Sequence, residues 1–408
     1  MPTLLRLPIT NVYANGDYTV TVCVGSEALP LQLVLDTGSS TLALHTTAYQ
    51  TEQDSDLVTT SLVQEVIYGI GGWAGAVVQT SMQLHGDTSL NLAENYIAVA
   101  AVGALASTKA DGILGLAYKR LNQATDISQY LQQQLPPAQS SLPWPFASGN
   151  DTQLSQIQQL LADYPKRNLC PWFSNIAQAG VVNNCFAFYC RRSSVHYAKD
   201  MATPQPDDPL NQGWFILGGG TGQTDLYQGE FDNISVLHDV YYNVQLTALQ
   251  VDELPLLPCA PGNNDDLANG FFDTGASAIL LPNPLYQQLL QQLAQYNPAL
   301  SPVLQQLPVF NGVEQGIDAK LVELAQWPPL HFYFAGDNGN TVKLTCPPGD
   351  YWQHNAPAFG LCSFKLIPQF PHFASQHIIG LPLLCNYYSI FDRAAHHTGI
   401  IRCAKARR

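Results

Sequence analysis

The sequence predicts a mainly β protein built as two similar lobes, with a few short surface helices. Three observations point there. Short apolar runs are cut again and again by Gly, Pro, Asn and Asp; a unit of strand, acidic turn and later apolar-apolar-Gly occurs twice; and the 408-residue length exceeds one small core and suits two lobes of about 200 residues.

Residues 18–24, 31–35 and 332–334 are rich in β-branched and aromatic residues and bounded by turn formers, as strands are. Helical character is confined to 126–135, to 152–163 behind the cap-like Asp151, and to 284–296. The glutamines of these stretches read as polar helix faces. Residues 136–145, running on through Ser148-Gly-Asn-Asp151, are rich in Pro, Ser and Gly and read as an inserted surface loop.

The repeat sets the domain organisation. Leu33-Val-Leu-Asp-Thr-Gly-Ser-Ser40 returns in outline as Gly270-Phe-Phe-Asp-Thr-Gly-Ala-Ser277. Ile113-Leu-Gly115 follows the first copy at long range and Ile378-Ile-Gly380 the second. Two copies imply two lobes facing each other across a cleft, expected over 1–195 and 196–408. The acidic, Pro-rich stretch 202–209 reads as an exposed connection.

Composition excludes several functions. With 46% hydrophobic and 12% charged residues the chain can bury large cores. A net charge of −14 offers no basic field to phosphates, so nucleic acid is not an expected partner, and the basic tip 405–408 reads as solvated. No apolar run approaches the roughly 18 residues that span a bilayer, so no membrane partner is expected. The start, Met1-Pro-Thr-Leu-Leu-Arg-Leu-Pro8, lacks a secretory apolar run. A cytoplasmic location is expected if Met1 is the native start, and a secreted or periplasmic one if the sequence is a processed form. The nine cysteines are an odd number, so at least one is unpaired or pairs between chains. Cys185/Cys190 and Cys346/Cys362 are the nearest candidates for local bridges, with reduced thiols the alternative. None has the paired CxxC spacing of a zinc site, and neither a metal nor a cofactor is expected.

One Asp-Thr-Gly triplet is weak evidence, because these are ordinary turn residues. Two, each led by strand residues, are not. Val34-Leu35 and Phe271-Phe272 would give each carboxylate a stiff, dry support. Gly38 and Gly275 would let the backbone turn and bring amide donors to Asp36 and Asp273. Thr37 and Thr274 could hydrogen-bond across to the opposite loop. Two carboxylates brought close together cannot both ionise easily, so they share one proton. The ionised one acts as general base toward a water, and the protonated one donates to the substrate carbonyl. That chemistry needs no covalent intermediate and no metal.

With these motifs the chain resembles the pepsin family nearly end to end. Val66-Ile-Tyr-Gly-Ile-Gly-Gly72 resembles the family's flap hairpin, and Ala110-Asp-Gly-Ile-Leu-Gly-Leu116 its DGILGL element. Phe186-Ala-Phe-Tyr189, Gly213-Trp-Phe-Ile-Leu-Gly-Gly219 and Tyr387-Tyr-Ser-Ile-Phe-Asp-Arg393 are similar to further framework segments, in the expected order. The resemblance implies a bilobal β fold acting as a monomer on an extended polypeptide, with hydrolysis between bulky apolar residues. It makes Asp36 and Asp273 the catalytic pair, Thr37 and Thr274 cross-braces, Gly38 and Gly275 substrate-side backbone, and Ser39 a hydrogen-bond donor to Asp36. It places Tyr68 and Gly69 in the flap, and Ile113 and Ser277 against substrate. Plain core packing is the other reading of Ile113, and Asp111 is expected to brace a turn.

The chain departs from the family at three positions. Ala43 stands where relatives commonly have the Trp that bonds the flap Tyr; Trp73 could compensate or be an exposed flap-tip aromatic. Ala276 and Leu381 stand where acid-acting relatives have Thr and Asp. With no donor at Ala276 the pair should be harder to ionise, so activity is expected at weakly acidic pH. The 35 residues before Asp36 leave no room for the usual basic prosegment, so the chain is expected either to be made without one, as in a bacterial-type member, or to be a form from which it was removed. A pepsin-fold binding or inhibitor protein that has lost catalysis is the alternative, favoured mainly by Ala43.

Overall fold

A computed structural model describes residues 2–68, 71–84, 87–105, 109–147, 151–199, 206–262, 268–371, 373 and 375–408, with the backbone alone at 68, 87–94 and 151–153. Strands dominate, as expected, and the chain forms two compact units. One is Thr19–Val181; the other joins Pro2–Tyr18 to Val182–Arg408. This division differs from 1–195 and 196–408 for a reason of pairing. Strand β1 (Leu5–Ala14) and the strand Cys185–Tyr189 both hydrogen-bond to Gln212–Leu217, so both go with the second unit.

The first unit holds β2 (Asp17–Val24), β3 (Leu29–Asp36), β4 (Leu42–His45), β5 (Val58–Tyr68), β6 (Gly71–Leu84), β7 (Asp87–Gly103), β8 (Gly112–Gly115), β9 (Gln123–Asp126) and β10 (Lys166–Asn168). Its helices are α1 (Ser128–Gln132), α2 (Asp151–Leu161) and α3 (Trp172–Gln178). The strands run in the order β10-β9-β5-β6-β7-β4-β8-β3-β2, and β2 pairs again with β6 through Val22↔Leu84 and Val24↔Met82. The sheet therefore folds back on itself, and Val20, Val22, Leu33, Leu35, Val78 and Ile97 are buried in it.

The expected helix over 126–135 shrinks to α1 because its start is claimed by a strand. Asp126 pairs with Leu62 of β5, and its carboxylate accepts from Ser61 Oγ at 2.9 Å and the Ser128 N–H at 3.0 Å. The inserted loop after α1 is more than surface. Ser141 is buried and donates through Oγ to Leu62 O at 2.6 Å, and Trp144 and Phe146 cover a small core of Ile127, Leu131, Leu154, Ile157 and Leu161.

The second unit contains, after β1, β11 (Cys185–Tyr189), β12 (Gln212–Leu217), β13 (Tyr227–Ser235), β14 (Tyr242–Val244), β15 (Leu246–Val251), β16 (Leu257–Pro258), β17 (Gly270–Phe272), β18 (Ile279–Leu281) and β19 (Ile317–Asp318). It continues with β20 (Leu330–Ala335), β21 (Thr341–Cys346), β22 (Trp352–His354), β23 (Leu361–Phe364), β24 (Leu366–Pro368), β25 (His377–Ile379), β26 (Tyr387–Asp392) and β27 (Ile400–Ala406). Within this unit β1-β12-β11-β26-β27-β13 form one ladder, and β14-β17-β25-β18-β24 a separate sheet that carries the second acidic turn. Its α-helices are α4 (Asn283–Tyr296), α5 (Ser301–Leu304), α6 (Pro348–Tyr351) and α7 (Leu381–Leu384). In α4, Leu285, Leu289 and Leu293 repeat every four residues and are buried, leaving glutamines outside, as the 284–296 pattern predicts. Pro284 sits in its first turn, where its missing N–H costs nothing.

Two expectations are corrected. The tip 405–408 is not simply solvated: β27 runs through Ala406, and Arg408 Nη2 lies 2.5 and 2.6 Å from the two oxygens of Asp350, a carboxylate only 1% exposed. A carboxylate taken out of water needs such a partner. The two local disulfide candidates do not form, and all nine cysteines are free thiols. Cys185 opens β11 and Cys190 lies just past its end, with its sulfur 2.9 Å from that of Cys385. Cys346 Sγ instead donates to Pro382 O at 3.4 Å, while Cys362 lies in the separate β19-β23-β22 sheet. Residues 202–205 of the expected connection lie outside the described residues, and Asp207 and Pro209 are exposed.

Candidate active site

Each Asp-Thr-Gly turn leaves the end of a strand that runs parallel to the strand of its apolar-apolar-Gly partner. In the first unit β3 pairs with β8 as Leu33↔Gly112, Val34↔Ile113, Leu35↔Leu114 and Asp36↔Gly115. In the second, β17 pairs with β25 as Gly270↔His377, Phe271↔Ile378 and Phe272↔Ile379. After the turn the chain returns on the other side: Ala43 of β4 opposes Ile113, and Leu280 of β18 opposes Ile378. Counted from each aspartate, these registers coincide. Three residues before the Asp meet three before the Gly, and seven after the Asp meet the first apolar residue. The sequence repeat is a structural repeat.

The glycines of that frame follow from close approach. A Cβ at Gly115 would come 2.5 Å from the Ser40 carbonyl carbon and the Thr41 nitrogen; at Gly380 it would come 2.1 Å from Ala278 O. Only glycine lets this strand end pass the backbone that follows the aspartate.

The carboxylates are held alike, then differ. The Gly38 N–H donates to Asp36 Oδ1 at 2.7 Å, and the Gly275 N–H to Asp273 Oδ1 at 2.8 Å. Backbone bonds fix both turns: Leu116 N–H to Asp36 O and Ala117 N–H to Ser39 O, against Asp273 N–H to Ile379 O and Leu381 N–H to Ala276 O. Ser39 Oγ adds a 2.5 Å bond to Asp36 Oδ2, and the matching residue Ala276 has no side-chain donor. Asp36 is 8% exposed and Asp273 half-buried, while Thr37 and Thr274 are fully buried.

The structure brings Asp36, Thr37, Gly38, Ser39 and Ile113 together in the first unit, and Asp273, Thr274, Gly275, Ser277 and Leu381 in the second. Ile113 is 4% exposed at the centre of β8, and Ser277 is half-buried beside Gly16. Tyr68 ends β5, its backbone paired with Gly71; its side chain and Gly69 lie outside the described residues. Trp73, fully buried in β6 between Val66 and Gly103, is not an exposed tip. Asp111 braces a turn, its Oδ2 accepting from the Gln32 N–H at 2.8 Å.

One cluster was not visible in the sequence. Gln64 of β5 donates through Nε2 to Asn122 Oδ1 at 2.7 Å and to Thr41 Oγ1 at 3.4 Å, and Thr41 donates to Asn122 at 3.2 Å. All three are buried. They tie the hairpin strand to the backbone just after the Asp36 turn. No local pattern marks them, since each is an ordinary polar residue in its own segment.

A family described as eukaryotic aspartyl protease matches residues 17–136 and 166–403. The unmatched residues 137–165 contain most of the inserted loop and α2, whose Leu154 lies against the hairpin at Gly72. The chain is 24% identical to vacuolar protease A of Neurospora crassa, over 97% of this chain and 80% of that protein. It is likewise 24% identical to cathepsin D of Chionodraco hamatus, over 66% of this chain and 56% of that protein.

Proposed function

The chain belongs to the eukaryotic aspartyl protease family and is an aspartic endopeptidase, and from that premise we propose that Asp36 and Asp273 are its catalytic pair. The observation that carries the assignment is the shared frame: two aspartates with the same strand register and the same N–H donor two residues on. Each of the two units contributes one aspartate.

In this reading the pair shares one proton. Asp36 keeps the charge, because Ser39 Oγ and the Gly38 N–H both donate to it, whereas the residue matching Ser39 beside Asp273 is Ala276, which has no side-chain donor. Asp36 then takes a proton from the attacking water, and protonated Asp273 donates to the carbonyl oxygen as the tetrahedral centre forms. Collapse returns a proton to the leaving amine. Thr37 and Thr274 brace the pair, Gly38 and Gly275 offer backbone to substrate, and the Tyr68–Gly69 hairpin closes over it. Ile113 and Ser277 contact a polypeptide bound in extended form, with bulky apolar residues flanking the cleaved bond. The protein acts as a monomer at weakly acidic pH. An acidic compartment suits that chemistry and agrees with the vacuolar name of one relative.

The test is cleavage of a denatured protein between about pH 3 and 7, with and without pepstatin, beside Asp36→Asn. Cleavage abolished by both is expected. Cleavage indifferent to both would overturn the assignment. Pepstatin binding without any cleavage would favour the inactive binding protein that Ala43 suggests.

A further inference from the structure

Cys190 and Cys385 are 195 positions apart in the chain, yet their sulfurs lie 2.9 Å from each other. That is about 0.9 Å longer than a covalent S–S bond of about 2.0 Å. Both residues are buried, at 1% and 0% exposure. This pairing is neither of the two local ones that spacing suggests, since Cys190 meets Cys385 and not Cys185. Each is anchored by backbone: Cys190 follows β11 directly, and the Cys385 N–H donates to Leu381 O at 2.8 Å, closing the turn of α7. Leu381 in turn donates its N–H to Ala276 O at 2.9 Å, immediately behind the Asp273 turn. On the other side the Arg191 and Arg192 N–H groups donate to Tyr18 Oη at 3.2 and 3.3 Å, fixing the chain just past Cys190.

We propose that Cys190 and Cys385 are a built cross-link site, converted to a disulfide by a small-molecule disulfide such as oxidised glutathione. One cysteine thiolate attacks the oxidant, forming a mixed disulfide and releasing one glutathione thiolate. The second cysteine thiolate attacks the protein-side sulfur of that mixed disulfide and releases the other glutathione. Two electrons pass from the cysteine pair to the oxidant, and the two thiol protons end on the two released glutathiones. Burial shuts the oxidant out of the folded unit, so the bond forms while the chain folds or the second unit opens. Once made, it ties α7, the support of the Asp273 turn, to β11, and closes a loop of 195 residues. Long loops lose the most unfolded-state freedom when cross-linked. The inference is independent of the catalytic assignment, because Asp36→Asn should form the same bond.

The experiment folds the full chain in a mixture of oxidised and reduced glutathione, denatures it, and alkylates the free thiols. Seven of the nine cysteines should be alkylated, and a non-reducing digest should contain a peptide pair joining Cys190 to Cys385. The oxidised protein should melt about 5 °C or more above its dithiothreitol-treated form. Cys385→Ala should erase that difference and Cys23→Ala should keep it. Alkylation of all nine, or a linked peptide naming another pair, would overturn the site on wild-type protein alone. A linked peptide with no shift in melting would overturn the stabilising role.

Discussion

Gln64 Nε2 donates to Asn122 Oδ1 at 2.7 Å across 58 positions of sequence, with both side chains buried. The same nitrogen reaches Thr41 Oγ1 and Gln123 O, so one amide serves three acceptors. Such a group is costly to lose, because its partners stay buried with unmet hydrogen bonds. Gln64→Leu should destabilise the first unit by about 2 kcal/mol, read from urea unfolding. It should also loosen β5 relative to the Asp36 turn, raising KM more than it lowers kcat. A change in kcat alone would place the role of Gln64 elsewhere.

The unequal support of the two aspartates makes a paired prediction about pH. Ser39 Oγ stabilises the ionised form of Asp36, so Ser39→Ala should move the acidic limb of the pH–rate profile upward. Ala276→Thr offers Asp273 a side-chain hydroxyl that alanine cannot supply and should move the same limb downward. Shifts of about one pH unit in opposite directions are expected. Movement of both variants in the same direction would contradict the assignment.

Asp54 provides a pH-dependent brace within the first unit. Burial works against its charge, but hydrogen bonds from Thr80, Tyr49 and the N–H groups of Ser26 and Asp56 outweigh that and hold its carboxyl below the usual range. Its folded value is depressed, so its contribution is complete above the unfolded value of about 3.9 and is lost as pH falls through the lower folded value. Asp54→Asn should therefore lower the urea midpoint near neutral pH. The gap between variant and parent should shrink as the pH drops below about 4. A gap independent of pH would mean that the charge of Asp54 contributes nothing.

What could be read in advance was local. Both Asp-Thr-Gly turns, the apolar-apolar-Gly partners and the stripe of α4 announce themselves over a few residues. The relationships that escaped are long-range. Arg408 finds Asp350 at a distance of 58 positions, Thr41 finds Asn122 at 81, and Cys190 finds Cys385 at 195. Periodicity says which face of an element is buried and nothing about which distant residue meets it. The same limit explains the shortened α1: Asp126 opens the helical pattern of 126–135 when read alone, and pairing with Leu62 of β5 makes it the end of a strand.

The pair formed by Arg408 and Asp350 gives the last prediction. Asp350 is 1% exposed and sits at the end of α6, while the Arg408 side chain is about half exposed. Removing the guanidinium leaves the carboxylate in a low-dielectric site, where it must either lose its charge or open the structure to water. Arg408→Ala should accordingly destabilise the second unit by about 2 kcal/mol or more. Asp350→Asn in the same chain should recover part of that loss, because an amide does not carry the charge that the lost arginine balanced. A double-mutant cycle on urea unfolding separates the two contributions. Strict additivity of the single effects would show that the two side chains do not act as a pair. Because Arg408 also lies 3.4 Å from Cys385 O, Arg408→Ala should bring the melting of the oxidised protein down as well.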